Sequence, residues 1–386
     1  MLTPPPATRA KTPLALALQV LALLGVLYVF FVSLELMGGA FQLMGSGFAR
    51  ALLATTSDPL IGLFTGLLAT SLVQSSSVTT SLTVALVASG TLSVENAIPL
   101  VMGANIGTTV TNLIVSMGHI TRPDEFRRAM AGASVHDFFN WLTVLILLPL
   151  EIFFGVLSVP ARAFTDAMAG VGGTELLSPL KLVTKPVSEA LVGLLGANGI
   201  VVLLVGLALL FLALRYLVVL LKALVLGRAE GFLHRYVFGR PLVSMLAGLL
   251  LTFFVQSSSV TTSLIVPLVG AGILTVRQIF PYTLGANVGT TITALLAALA
   301  LAAGTAGEAA VAAQAGLAIA FVHVMFNVFG ILIIYPFPPI REVPIRIAEF
   351  VGNLAYRNRL YAVLFLVGLF YVLPLAVELV RALVAG

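Results

Sequence analysis

Cysteine is missing from all 386 residues, and charge is nearly so, with Asp, Glu, Lys and Arg together supplying 9% of the chain. The first absence excludes disulfides, thiolate-held metals and a cysteine nucleophile. The second excludes an ordinary soluble domain, in which about a quarter of the residues are charged. What fills the space is apolar: 60% of residues are hydrophobic and the mean hydropathy is +1.12. Several runs reach the roughly 20 apolar residues that a helix needs to cross a bilayer core. The chain therefore reads as an all-α integral membrane protein. No small-residue cleavage site follows Pro4, Pro5, Pro6, Arg9 and Lys11, so the apolar run from about Leu14 to Leu36 is expected to be a first permanent span rather than a signal peptide. The net charge of +5 does not call for nucleic acid, because Lys and Arg in short loops are how membrane proteins fix their orientation.

Against this background one polar block stands out because it occurs twice. Gln74-Ser75-Ser76-Ser77-Val78-Thr79-Thr80-Ser81-Leu82 recurs letter for letter from Gln256 to Leu264. Each copy is followed at the same distance by a second element, Gly103-Ala104-Asn105-Ile106-Gly107-Thr108-Thr109 and Gly285-Ala286-Asn287-Val288-Gly289-Thr290-Thr291. Residues 74–112 and 256–294, offset by 182, share 23 identities in 39 positions. Small and hydroxylated residues in membranes usually serve close helix packing. Duplication of both elements together favours a shared task over packing alone.

Loop charges give the topology. Arg9 and Lys11 place the N-terminus in the cytoplasm, and Arg122, Arg127 and Arg128 mark an inner loop, as do Lys222, Arg228, Arg235 and Arg240. The segment 303–308 carries no Lys or Arg and reads as outside. The first repeat thus runs from outside to inside and the second from inside to outside, the inverted arrangement of many secondary transporters. Each repeat changes sides once but holds two apolar segments. We therefore expect a re-entrant hairpin (59–90 and 241–272, turning near the Gln-Ser-Ser-Ser runs) and then a discontinuous crossing helix, beginning near Pro99 and Pro281. The whole chain, 1–386, is read as one transmembrane transport domain. Repeat one covers about 45–155, an amphipathic outer stretch about 156–196, repeat two about 222–340, and a last span about 360–383 puts the C-terminus outside. His136 and Asn140 are echoed by His323 and Asn327 after a five-residue shift.

Irregular backbone at membrane depth persists only where it is buried in protein or lines a cavity. A half-helix that starts there aims free N–H groups and its positive dipole end at the cavity, which suits an anion. Hydroxyls and the side-chain amides of Gln74, Gln256, Asn105 and Asn287 can donate, or turn oxygen toward a cation. Sodium fits such hard oxygen ligands, and no transition-metal set is present. His136 and Asp137 sit inside a span, where ionisable groups are functional candidates by default; a structural pair is an equal reading. His323, with no charged neighbour, reads as a core histidine.

At these residues the sequence resembles the type II sodium–phosphate cotransporter family, whose defining pattern is two Gln-Ser-Ser-Ser blocks, each followed by Gly-x-Asn-x-Gly-Thr-Thr. Phe126-Arg127-Arg128-Ala129, Val135-His136-Asp137-Phe138-Phe139-Asn140-Trp141 and the segment from Tyr335 to Arg346 also look like family sequence. The resemblance implies sodium-driven phosphate import by alternating access across the plasma membrane, with sodium as coupling ion and no cofactor. It places sodium on Gln256, Ser257, Thr290 and Thr293, and inverted symmetry suggests Gln74, Ser75, Thr108 and Thr111 as their counterparts. Phosphate would lie between Ser75, Ser76, Ser77 and Ser257, Ser258, Ser259, with Asn105 and Asn287 beside it. The outer stretch lacks the cysteines of the large loop in animal members. Many transporters dimerise, and a homodimer is the associational expectation.

Three alternatives remain: a carrier of another oxyanion such as arsenate or sulfate, a passive anion channel, and an intramembrane serine hydrolase. The last needs a base beside a serine, for which His136 is the only plausible partner in the first half, and has no Gly-x-Ser-x-Gly element. The chain is therefore read as a transporter and not an enzyme.

Overall fold

In lipid the backbone has no hydrogen-bond partner but itself, so uncharged runs of Leu, Val, Ala and Phe are driven into helices. The computed structural model describes residues 14, 17–26, 28–29, 32–33, 36, 40, 43, 58–73, 75–172, 178–221, 237–255, 257–263, 265–302 and 308–385, and all the regular structure among them is helical. Most of the first span and the basic loop from Lys222 to Arg235 lie outside the described residues, as does the 303–307 part of the outer loop. Among the described residues four helices are long and apolar enough to cross a bilayer: Val94–Met117, Pro123–Phe154, Ala313–Ile334 and Arg359–Arg381. They are not equivalent. The apolar window of the first is 83% buried within the protein and that of the last only 11%, so the first lies at the centre and the last at the lipid-facing edge.

The duplication in sequence is a duplication of structure. In the first copy α1 (Pro59–Val73) is followed by α2 (Ser76–Ala88), α3 (Val94–Gly107) and α4 (Thr109–Met117), then by the long α5 (Pro123–Phe154) and the amphipathic α6 (Ser158–Gly172). Two connecting helices follow, α7 (Ser178–Leu194) and α8 (Gly199–Leu221). In the second copy α9 (Pro241–Val255) leads to α10 (Ser258–Ser263), α11 (Val266–Gly270) and α12 (Val276–Ala302), then α13 (Glu308–Ile334) and the amphipathic α14 (Pro338–Arg357). The chain finishes with α15 (Arg359–Val367) and α16 (Leu373–Ala385), joined by a π-turn at Gly368–Val372.

Asp58 starts the first copy, its carboxylate accepting from the amides of Leu60 (2.8 Å) and Ile61 (3.3 Å) with Pro59 in the first turn, a helix start readable from sequence. The close contacts that follow depend on glycine. A Cβ on Gly66 would lie 2.0 Å from the carbonyl oxygen of Leu100, one on Gly103 1.8 Å from that of Leu63, and one on Gly107 2.6 Å from that of Leu67. The same three contacts recur 182 residues later: Gly248 to Tyr282, Gly285 to Met245 and Gly289 to Leu249, at 2.1, 1.8 and 2.6 Å. Backbone therefore meets backbone where α1 crosses α3 and where α9 crosses α12, and only hydrogen fits between. The turns after α2 and α11 repeat too, with Gly90 and Gly272 at φ +72° and +78°, a conformation glycine adopts without steric cost.

Each amphipathic helix is tied to the crossing helix of its own copy by an ion pair, and the charges are exchanged between copies. Glu95 of α3 pairs with Arg162 of α6, while Arg277 of α12, its counterpart 182 residues on, pairs with Glu342 of α14.

Two expectations are revised in detail. Pro99 does not open its helix: Ser93 caps α3, accepting from the Asn96 amide, and Pro99 sits inside it, where its Cβ lies against Gly62. No wide discontinuity appears in either crossing helix: only a one-residue turn at Thr108, itself at helical φ −58° and ψ −29°, separates α3 from α4, and α12 runs unbroken. Just past that turn the Thr109 hydroxyl meets His136, while its counterpart Thr291 bonds back to Val288 of its own helix, at 2.6 Å. The last span carries Pro374 and Glu378. The π-turn absorbs the proline, whose ring forbids a regular ladder, and Glu378 accepts a 2.5 Å bond from the Thr65 hydroxyl on α1.

Candidate functional site

Both polar blocks sit at the start of a helix. α1 ends at Val73 and α2 begins at Ser76; α9 ends at Val255 and α10 begins at Ser258. Ser75 is the N-cap of α2, extended at φ −154°, with its hydroxyl accepting from the Val78 amide at 3.3 Å. The amides of Ser76 and Ser77 therefore fall in the first turn, where an α-helix offers no internal acceptor. Thr79 donates its amide to the Ser75 carbonyl at 3.2 Å, and Thr261 does the same to Ser257 at 3.2 Å. Ser76, Ser77, Ser258 and Ser259 are buried, and their hydroxyls make no hydrogen bond among the described residues. Gln74 and Gln256 lie outside the described residues, as does the side chain of Thr293.

The copies are cross-braced at this level. α2 packs on α12 of the second copy, and α10 packs on α4 of the first. The Thr262 hydroxyl donates to Asn112 Oδ1 across that second contact at 3.0 Å. Thr108 and Thr290 are both buried, and each donates its hydroxyl to the carbonyl four residues back, at 3.2 and 3.1 Å. A threonine held so keeps oxygen lone pairs for a cation. Thr111 is half-buried and bonded. Among the described residues no three His, Asp or Glu side chains cluster as a metal set.

Asn105 and Asn287 have partners that sequence reasoning did not assign. Each reaches the His-x-x-x-Asn pair of the other copy. His136 Nε2 bonds Asn287 Oδ1, and Asn287 Nδ2 donates to Asn140 Oδ1 at 2.9 Å. His323 Nε2 and Asn327 Nδ2 both reach Asn105 Oδ1 at 3.2 Å. Asn140 Nδ2 closes the circuit on the Asn105 carbonyl at 2.9 Å. That carbonyl can only accept, which fixes the Asn140 amide, then that of Asn287, and finally makes His136 Nε2 a donor. His136 Nδ1 meets the Thr109 hydroxyl at 3.1 Å. The echo of His136 and Asn140 in His323 and Asn327 was the available signal; what it could not show is that each pair serves the opposite copy.

The clasp is lopsided. Among the described residues Asn327 Oδ1 and His323 Nδ1 are buried without a partner. Thr252 and Thr261 share a 2.7 Å bond, whereas the counterpart of Thr252, Thr70, has no hydrogen bond among the described residues. Asp137 is fully buried, and neither carboxylate oxygen has a partner among the described residues. Glu151, near the end of α5, caps the following turn by accepting from the amides of Leu157 (2.6 Å) and Ser158 (3.2 Å).

Comparison with known proteins points one way. Residues 29–176 and 209–335 match the family model described as Na+/Pi-cotransporter. The chain is similar to sodium-dependent phosphate transport protein 2B of Pongo abelii, 34% identical over 453 residues that cover 93% of this chain and 65% of that protein. It is also similar to sodium-dependent phosphate transport protein 2A of Ovis aries, 36% identical over 434 residues covering 92% and 67%, and to that of Rattus norvegicus, 35% identical over 432 residues. The matched stretch thus spans about two thirds of these longer relatives. No solved structure matches the chain.

Proposed function

Since the chain belongs to the Na+/Pi-cotransporter family, we propose that it is a sodium-coupled symporter that imports inorganic phosphate by alternating access. Family membership sets it among transporters rather than enzymes, which removes the serine hydrolase from consideration. The observation that carries the finer reading is the duplicated helix start, with buried serines whose hydroxyls lack partners among the described residues.

In this reading the two copies are inverted repeats, the helix pairs α1–α2 and α9–α10 are re-entrant hairpins, and the N-terminus is cytoplasmic. Phosphate is held between Ser75, Ser76, Ser77 and Ser257, Ser258, Ser259 by hydroxyls, first-turn amides and the positive ends of two helices. Sodium takes oxygen from Gln256, Ser257, Thr290 and Thr293, and a second ion from Gln74, Ser75, Thr108 and Thr111. The side chains of Asn105 and Asn287 face the histidines of the opposite copy, so they would reach phosphate only by releasing those bonds. Neither serine run holds a lysine or arginine. The anion is therefore balanced chiefly by co-bound cations, and loss of sodium releases it.

The test is uptake of labelled phosphate into proteoliposomes with and without an inward sodium gradient. Symport predicts saturable accumulation that collapses without sodium, and competition by arsenate but not sulfate. Uptake indifferent to sodium would refute the coupling, and transport that never exceeds equilibrium would make the protein a channel.

A further inference from the structure

The C-terminal end of α14 carries features that ion transport does not use. Its buried face, Pro344, Ile345, Ala348, Val351, Gly352 and Ala355, lies on α5, so closely that a Cβ on Gly352 would meet the Arg127 carbonyl at 2.5 Å. The remaining surface divides in two. Val343, Ile347 and Phe350 are exposed, and with Leu354 they recur at i, i+4, i+7 and i+11, which makes an apolar stripe along one line of the helix. Beside that stripe run Arg346, Glu349, Asn353 and Arg357, all exposed. A helix with a protein face, an apolar open face and a charged polar face fits the plane where acyl chains give way to headgroups.

At the N-terminal end of α14 the charges are occupied: Arg341 lies over the Tyr335 ring at 5.2 Å and Glu342 pairs with Arg277. At the other end they are not. A cavity of about 350 Å³, walled by Pro123, Phe126, Tyr356 and Asn358, is also lined by Arg357 and Arg359. Neither arginine has an ion-pair partner among the described residues. Asp124 and Glu125 fall between the lining residues Pro123 and Phe126, and Glu125 is engaged by His119 and Arg122; on α14 itself the acid nearest in sequence is the exposed Glu349.

We propose that this cavity binds the phosphate headgroup of an anionic phospholipid, with the acyl chains lying along the Val343–Ile347–Phe350 stripe. The volume lies within the range of small-ligand sites, and basic pockets between membrane helices suit anionic headgroups. The loop arginines assign the site to the cytoplasmic leaflet. The proposal rests on the chain being a membrane protein and not on what it transports.

The test is native mass spectrometry of the purified full chain, exchanged into detergent with phosphatidylglycerol or phosphatidylcholine. Wild type should keep phosphatidylglycerol adducts and bind phosphatidylcholine far less. The double variant R357Q/R359Q should bind phosphatidylglycerol about thirtyfold more weakly, at about fivefold for each basic residue near a lipid surface. R357K/R359K should restore most of that binding and control for folding. Equal retention of both lipids, or unchanged binding in R357Q/R359Q, would overturn the proposal. Displacement of phosphatidylglycerol by millimolar inorganic phosphate would overturn it too, by making this a site for the free anion. Phosphate uptake in neutral lipid should be the same in wild type and R357Q/R359Q, so failure of lipid binding and failure of symport would be told apart.

Discussion

Gly103→Ala should be among the most damaging single-methyl additions in the chain. Its new Cβ would stand 1.8 Å from the Leu63 carbonyl oxygen, whereas contacts under 3.0 Å essentially never occur, so α1 and α3 must part by at least 3.0 − 1.8 = 1.2 Å along that line. The obstacle is backbone, with no rotamer to swing aside. Gly66 and Gly107 sit on the same seam, at 2.0 and 2.6 Å from backbone oxygens, so the separation opens three contacts together. Overpacking costs about 1–3 kcal/mol where side chains can adjust, and here we expect the upper end, about 3 kcal/mol. The melting temperature in detergent should fall by on the order of 5 °C, and phosphate uptake should drop with it. Gly285→Ala should behave alike, its Cβ meeting Met245 at 1.8 Å, while Gly368→Ala, with nothing within 4 Å, should be neutral. Wild-type melting and uptake in Gly103→Ala would refute the crossing geometry.

Hydrogen bonds of the clasp should matter less to stability. Interhelical bonds in membranes average about 0.6 kcal/mol and reach about 1.7, so an Asn140→Ala, Asn287→Ala cycle should show coupling in that range by denaturation; strict additivity would deny the contact. Thr290→Ala and Gln256→Ala should raise the sodium needed for half-maximal uptake while membrane insertion stays normal, and an unchanged sodium curve would remove them from the cation site. Ser76→Ala or Ser258→Ala should raise the KM for phosphate some ten- to a hundredfold, since a hydrogen bond to a charged group is worth about 1.5–3 kcal/mol. Unaltered KM in both variants would move phosphate elsewhere.

The sequence made some of this plain, for reasons that can be named. The duplicated block was legible because a polar run has no cheap place in lipid. The helix start at Asp58 and the turns at Gly90 and Gly272 were legible because caps and left-handed residues are local chemistry. The seams of Gly66, Gly103 and Gly107 and of their counterparts were not, because periodicity cannot say which helix a glycine faces. Nor could Asn105 and Asn287 be read correctly in isolation. Their carboxamides are claimed by His323 and Asn327, and by His136 and Asn140, from the opposite copy, and such partners exist only after the copies meet. Nor does the sequence say whether the threonine of each Gly-Thr-Thr element bonds its own helix or a distant histidine. Identical letters, Thr109 and Thr291, gave opposite answers.

The glycine seams also limit how the protein can move. With backbone pressed on backbone along three contacts, α1 and α3 are expected to move as one stiff body, as are α9 and α12. The helices that follow α1 and α9 pack on the other copy, α2 on α12 and α10 on α4. Relative motion of the two bodies is then concentrated at the breaks between Val73 and Ser76 and between Val255 and Ser258. Those breaks carry the residues proposed to hold the ions. On the proposed assignment, hinge and binding site would be one structure: an ion that settled there would splint the joint, and its departure would let the joint bend.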